Sequence, residues 1–175
     1  MAFNRRSLLL SSAVTAFAAA CSETPSASEA SAERVPLRLG GTVECLAAVS
    51  DVLLPDDGQG PSAMSLGVRG YLQSAMKRED LRQVHGALER GARFLDGWAQ
   101  KNHRKAFAQL DAEVRREVVD HLVDGTLKPP RLPGKQFVRV MLALTLEAAL
   151  GDPRHGGNEA KQGWAWLGYR EEGRG

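Results

Sequence analysis

The chain of 175 residues contains few of the residues that build catalytic or cofactor sites. It has two cysteines, Cys21 and Cys45, and four histidines. It contains no Cys-x-x-Cys-His haem motif, no Gly-x-Ser-x-Gly nucleophile motif and no Gly-x-Gly-x-x-Gly dinucleotide loop. We therefore predict no catalytic residue and no cofactor-binding residue in this chain, and interpret Cys45 as a small buried hydrophobic residue.

The histidines form no recognisable metal motif. His85, His103 and His121 follow one another at equal intervals, so a histidine-ligated metal protein is one alternative hypothesis. However, no two histidines stand three or four residues apart, as metal ligands on one helix do. We therefore expect solvated or locally bonded histidines and no metal site.

The chain also lacks a strong charge of one sign and a second long hydrophobic run. The first twenty residues carry Arg5 and Arg6 and no acid, and without them the remaining basic and acidic side chains are equal in number. This balance argues against a nucleic-acid partner. The most hydrophobic later stretch is interrupted by Arg139 and Glu147, which disfavours a membrane span.

The first twenty residues have the features of an export signal. Arg5 and Arg6 precede an apolar run and the small residues Ala18-Ala19-Ala20. We interpret residues 1–20 as a removed signal of the twin-arginine type, which addresses folded proteins to the periplasm. An ordinary secretory signal is the alternative.

Two processing sites remain open at the end of this signal. Ala18-Ala19-Ala20 fits release, whereas Cys21 after two alanines resembles a lipoprotein box. The first part of residues 21–38 consists mostly of Ser, Ala, Glu, Thr and Pro. This composition is typical of a flexible tether, and we interpret residues 21–38 as one. The tether favours lipidation at Cys21 and association with the membrane.

Residues 39–175 are predicted to form a single all-α domain, a small bundle of about five helices. The first helix is expected from Thr42, as N-cap, to Pro55, and the second from Ser62 to Lys77 with Gly67 and Gly70 weakening it. Three more follow: one from Asp80 to beyond Trp98, one between Asp111 and Gly125, and one from Gly134 to Leu150. The last is apolar nearly all round, which predicts a place at the bundle centre.

The end of the domain is predicted to be an ordered, irregular segment rich in Gly and Trp, with neither helix nor strand. A proline, paired glycines, an asparagine and two tryptophans require backbone turns held by aromatic contacts. Such loops usually carry recognition. The structural or interface candidates here are Asp152, Pro153, Gly156, Gly157, Asn158, Gly163, Trp164, Trp166, Gly168 and Tyr169.

Glu147 is a carboxylate near the end of the apolar last helix, and if buried it needs hydrogen-bond donors. We expect backbone amides of the loop from Asp152 to Asn158, or the indole of Trp164 or Trp166, to supply them. Glu147 would then brace the segment. A catalytic acid is the less favoured alternative.

Several of these residues together resemble the gluconate 2-dehydrogenase subunit 3 family, over the whole predicted domain. The most specific part is the ordered series of Asp-Pro, Gly-Gly-Asn, Gly-Trp and Gly-Tyr pairs near the end of the chain. The matching segments are Leu53-Leu54-Pro55, Gly60-Pro61-Ser62-Ala63, Gly67-Val68, Tyr71-Leu72, Phe107 with Leu110, Thr145-Leu146-Glu147, Asp152-Pro153, Gly156-Gly157-Asn158, Gly163-Trp164 and Leu167-Gly168-Tyr169. Departures from the family pattern are Ala148, His155 and Arg170.

The resemblance implies a small subunit that binds no cofactor itself. Its partner would be a large FAD-dependent dehydrogenase subunit acting on a sugar or sugar acid, with room for a cytochrome c carrying haem as a third subunit. The small subunit would lend its signal to the folded partner at the twin-arginine translocase. A periplasmic lipoprotein adaptor with an unrelated partner is the second hypothesis, because fold alone does not fix function.

Overall fold

The structure is a computed structural model that describes residues 39–169. Within this range the chain forms six α-helices, four short 3-10 turns and no strand, which confirms the predicted all-α class. The predicted signal with Arg5 and Arg6, the predicted tether with Cys21, and Arg170 lie outside the described residues. The helices are α1 Leu39–Leu53, α2 Val68–Ala75, α3 Arg82–His103, α4 Ala112–Asp124, α5 Gly134–Leu150 and α6 Gln162–Trp166.

The helix at the middle of the bundle is α1, which contacts α2, α3, α4 and α5. Leu46 and Val49 have no solvent exposure. Cys45 is buried, donates from Sγ to the carbonyl oxygen of Ala92 over 3.6 Å, and has a pKa raised by burial and by Asp96. The interpretation of Cys45 as a buried residue is confirmed. Thr42 is not the predicted N-cap, because α1 begins at Leu39 and Thr42 is buried within it.

The sequence pattern predicts α5 at the bundle centre. The structure agrees in its contacts with the other helices, but one face of α5 is exposed. The helix packs against α1, α2, α3 and α4, and Thr145 joins it to α1 by donating to Ser50 Oγ over 2.8 Å. One face nevertheless points to solvent, where Leu142 and Leu146 are 41% and 44% exposed. A helix lying on one side of α1 cannot cover all of its own apolar surface.

The remaining helices end where backbone geometry requires it. Gly67, at φ 73°, separates a turn from α2, so the second predicted helix is split. Gly125, at φ 83°, ends α4 as predicted, since a left-handed residue stops the helical hydrogen-bond pattern. Within residues 39–169, no helix is both long enough and apolar enough to span a bilayer.

Candidate interaction surface at the C-terminal segment

The segment after α5 starts with a capped turn. Asp152 Oδ1 accepts a hydrogen bond from the backbone amide of Arg154 over 3.0 Å, and Oδ2 accepts from the Arg154 guanidinium over 2.7 Å. Pro153 occupies the first position of the 3-10 turn, where its missing N–H costs nothing. Gly156, at φ 90°, ends the turn and reverses the chain. These residues shape the backbone and direct it towards the end of α5.

Two glycines allow the segment to lie directly on the last turn of α5. A Cβ atom on Gly157 would stand 2.3 Å from the carbonyl oxygen of Ala148. A Cβ atom on Gly163 would stand 2.0 Å from the carbonyl oxygen of Ala149. No side chain fits at either position, so both glycines are required for close packing of two backbones.

Asn158 is the polar centre of the segment and has no solvent exposure. Its Nδ2 donates to the carbonyl oxygen of Gly151 over 2.9 Å, and its Oδ1 accepts from the amide of Gly163 over 2.9 Å. Its backbone is left-handed, at φ 49°, a conformation that asparagine tolerates better than most residues. The following amide, of Glu159, donates to the Leu66 carbonyl over 3.1 Å and ties the segment to the turn before α2.

Trp164 completes the attachment to α5. Its indole Nε1 donates to the carbonyl oxygen of Leu150 over 2.7 Å. The last carbonyls of a helix lack intrahelical partners, and Trp164 and Asn158 satisfy two acceptors at this end. The ring of Tyr169 then packs edge-on against Trp164, with centroids 5.3 Å apart, and the Tyr169 amide donates to the Trp164 carbonyl over 2.8 Å.

Trp166 holds the other side of the segment. Its Nε1 donates to the carbonyl oxygen of Gln59 over 3.1 Å, and its ring lies so close to Gly60 that a Cβ there would be 2.5 Å from it. Trp166, Leu167 and Tyr169 remain 48%, 58% and 57% exposed. Gly168, at φ 68°, makes the turn between them. We call Trp166, Leu167, Gly168 and Tyr169 the C-terminal platform.

Glu147 does not brace this segment, so the expected contacts were wrong. Its Oε1 accepts from Arg78 Nη1 over 3.4 Å, and the same nitrogen donates to the hydroxyl of Tyr71 over 3.3 Å. The Trp164 and Trp166 indoles donate to backbone carbonyls instead. Burial, followed by the charge and hydrogen bond of Glu147, raises the pKa of Tyr71 above its usual range. Glu147 therefore joins α5 to the connection between α2 and α3.

The polar side chains of the segment do not converge on a common point. Asp152 is bonded to Arg154, Asn158 is buried among backbone groups, and His155 is exposed. Elsewhere, His85 Nε2 lies 3.1 Å from the carbonyl oxygen of Ala75, and the His103 ring lies 5.4 Å from that of Trp98. Across residues 39–169 no three His, Cys, Asp or Glu side chains are grouped so that they could hold a metal ion.

The sequence indicated an ordered segment here but not the residues that contact it. Gln59 and Gly60, which contact Trp166, lie between α1 and α2, and nothing in their sequence indicates this contact. Arg78 and Tyr71 carried no signal either, because no spacing connects them with Glu147. Paired glycines next to tryptophans were the only indication that backbones would meet closely here.

The fold and this site define a small all-α protein whose C-terminal segment presents an exposed aromatic surface. A comparison with protein families then identifies it further. The family model for gluconate 2-dehydrogenase subunit 3 matches residues 42–173, and the chain belongs to this family. The family is that of an accessory subunit, named for its association with gluconate 2-dehydrogenase. Neither the curated proteins nor the solved structures contain a significant match.

Proposed function

We propose that this protein is the non-catalytic small subunit of a membrane-associated, FAD-dependent dehydrogenase complex that oxidises a sugar or sugar acid in the periplasm. The observation that carries the proposal is the family match across residues 42–173, which includes the whole C-terminal platform. The large subunit holds FAD and performs the oxidation. This chain binds that subunit and assists its assembly and export, and a cytochrome c is a compatible third member.

The platform supports a binding role. Its aromatic side chains are the kind that anchor protein interfaces, because they bury large areas while losing little conformational freedom. Trp166 and Tyr169 are held in place by hydrogen bonds at the indole of one and the amide of the other. A partner therefore meets a surface that is already ordered, which lowers the entropic cost of association.

The export role follows from the chemistry of the partner. A flavin inserted in the cytoplasm requires its protein to cross the membrane folded, which the twin-arginine route permits. A large subunit without a signal would have to travel bound to a chain that has one. Arg5 and Arg6 provide that signal in the proposal, and acylation at Cys21 would keep the complex at the membrane.

The binding proposal is tested by purifying the full-length tagged chain gently from membranes of its natural host. We expect a yellow flavoprotein to co-purify, with bound FAD that is reduced by a sugar or sugar acid. The co-purified protein must be identified as a flavoprotein, by its absorption spectrum and by the masses of its peptides. Recovery of the chain alone and colourless would refute the proposed complex. An unrelated partner, without flavin, would instead support the lipoprotein adaptor.

The export proposal has its own test. Arg5→Lys combined with Arg6→Lys should retain both this chain and the flavoprotein in the cytoplasm. Arg34→Lys combined with Arg38→Lys is the matched control, because it changes two arginines outside the signal. If the flavoprotein is exported normally while the Arg5 and Arg6 variant stays in the cytoplasm, export of the partner does not depend on this chain.

A further inference from the structure

Leu142 and Leu146 are exposed on the face of α5 that also carries Leu150, which is partly buried near the start of the C-terminal segment. Leu142, Leu146 and Leu150 are spaced four residues apart, so their side chains lie next to one another along one helix face. Trp164 joins the end of this line through its hydrogen bond to the Leu150 carbonyl, and Tyr169 packs on Trp164. We call these five residues the α5 ridge.

We propose that the α5 ridge is a docking surface for the large flavoprotein subunit, continuous with the C-terminal platform. This inference rests on the proposed function and specifies its interface. The first reason is area. Three half-exposed side chains of the platform offer only about 300 Å² between them. A stable protein interface buries roughly 800 Å² on each partner. A complex that survives membrane crossing needs more surface than the platform has.

The ridge adds exposed apolar surface beside the platform. The largest exposed apolar groups of α5 are Leu142 and Leu146, at 41% and 44%. Both lie within three turns of Leu150, where α5 meets the C-terminal segment. Leu142 and Leu146 are exposed neighbours on one helix face, and grouped exposed apolar residues, unlike single scattered ones, mark interaction sites.

Charge indicates the kind of surface that covers the ridge. Lys135 and Arg139 are exposed on α5 in the same register as Leu142 and Leu146. No acidic residue occurs from Gly125 to Leu146. The partner surface that fits is therefore apolar at its centre and acidic at the edge that meets Lys135 and Arg139.

A second copy of the chain fits this surface poorly. Among residues 39–169, the carboxylates next to the ridge leucines in sequence are Glu147 and Asp152, and these are bonded to Arg78 and Arg154. Two ridges packed together would leave Lys135 and Arg139 without acidic partners. A different protein with an acidic rim satisfies both the apolar and the charged groups, and the large subunit is the partner that the proposed function provides.

Photocrosslinking locates the surface directly. A photoreactive phenylalanine derivative is placed at position 146 of the full-length chain, in the natural host. Position 123 is the matched control, because Val123 is 42% exposed on α4 and lies off the ridge. We expect light-dependent cross-links from position 146 to the flavoprotein, in a peptide near acidic residues, and none from position 123. Cross-links from position 146 only to a second copy, or to lipid, would overturn the inference.

Substitution measures the contribution of the ridge. Leu142→Lys combined with Leu146→Lys should lower the yield of co-purified flavoprotein by roughly tenfold or more, the effect of removing interface anchors. Val123→Lys should leave it within about twofold. Leu146→Gln, a neutral change compatible with a helix, is the second variant, and circular dichroism verifies that each protein is folded.

The outcomes separate the inference from the proposed function. If the unaltered chain captures the flavoprotein and the ridge variants capture it equally well, the ridge is not the interface and the proposed function stands. If the unaltered chain captures no flavoprotein, the proposed function fails and the inference fails with it.

Discussion

Asn158 donates a hydrogen bond from Nδ2 to the carbonyl oxygen of Gly151 over 2.9 Å, at a position with no solvent exposure. The same side chain accepts from the Gly163 amide, so one buried amide group connects the end of α5 with the start of α6. Buried polar groups of this kind specify one arrangement, because any other leaves them unpaired. Asn158 therefore determines where the platform stands relative to the bundle.

Replacing the side chain of Asn158 should lower the stability of the protein strongly. Asn158→Ala removes the partners of the Gly151 carbonyl and the Gly163 amide, and places alanine at φ 49°. Each buried group left unpaired costs about 1–3 kcal/mol. We expect the free energy of unfolding to fall by about 3 kcal/mol, measured by urea denaturation followed by tryptophan fluorescence.

Asn102→Ala is the matched control for this experiment. Asn102 also donates to a carbonyl oxygen, that of Trp98 over 2.7 Å, but it is exposed and water can replace the bond. Its substitution should change the free energy of unfolding by less than about 0.5 kcal/mol. Equal effects at the two positions would show that Asn158 is not the central link of the segment.

Alanine should have opposite effects at two glycines. In Gly163→Ala the new Cβ would stand 2.0 Å from the carbonyl oxygen of Ala149, so the segment must move away from α5. Gly97 lies exposed inside α3 with nothing within 4 Å of an added Cβ. We expect Gly163→Ala to lower the melting temperature and Gly97→Ala to add about 0.5–1 kcal/mol of stability through its better helix propensity.

Differential scanning calorimetry measures both glycine variants under the same conditions. Flavoprotein capture gives a second measurement, because Gly163→Ala should weaken it by displacing the platform, whereas Gly97→Ala should not. A Gly163→Ala protein with unchanged melting and capture would contradict the close backbone contact.

The sequence allowed most of the bundle to be predicted because helix signals are local. The helix predicted from Asp80 to beyond Trp98 corresponds to α3, and the predicted ends Gly134 and Leu150 are those of α5. Errors arose at boundaries without strong signals. Thr42 has the chemistry of an N-cap, but α1 continues to Leu39, since packing can override a capping preference. Residues Gln162 to Trp166 form a short helix where none was expected.

The contacts of the site could not be predicted, because they join residues far apart in the chain. Arg78 and Glu147 are separated by 69 positions, and Trp166 and Gln59 by 107. Periodicity reports which face of a helix is apolar, and it does not report which distant group meets a carboxylate. Glu147 does accept from a donor, Arg78, but which donor it meets depends on the packing of α2 and α3 against α5.

The two tryptophans of the segment should differ in their contributions to stability. Trp164→Phe keeps an aromatic ring and removes the indole N–H. The hydrogen bond from this N–H to the Leu150 carbonyl is partly buried. Trp166→Phe removes an exposed hydrogen bond to Gln59. We expect losses of about 1–2 kcal/mol for Trp164→Phe and less than about 0.5 kcal/mol for Trp166→Phe, by urea denaturation. A larger loss at Trp166 would contradict the view that Trp164 is the main attachment.

Tyr71 should make stability sensitive to alkaline pH. Burial, and then the charge of Glu147, raises its pKa in the folded protein, whereas the unfolded value is about 10. Above pH 10 the unfolded chain loses this proton and the folded protein keeps it, so the stabilising contribution is complete below pH 10 and decreases above it by about 1.4 kcal/mol per pH unit. Urea denaturation between pH 9 and 11 should therefore show a shallower decline for Tyr71→Phe than for the unaltered chain, while Tyr169→Phe, which keeps Tyr71, retains the steep decline. The buried thiol of Cys45 contributes equally in all three proteins. Parallel curves for Tyr71→Phe and the unaltered chain would show that the phenol beside Arg78 and Glu147 ionises in the folded state as readily as in the unfolded one.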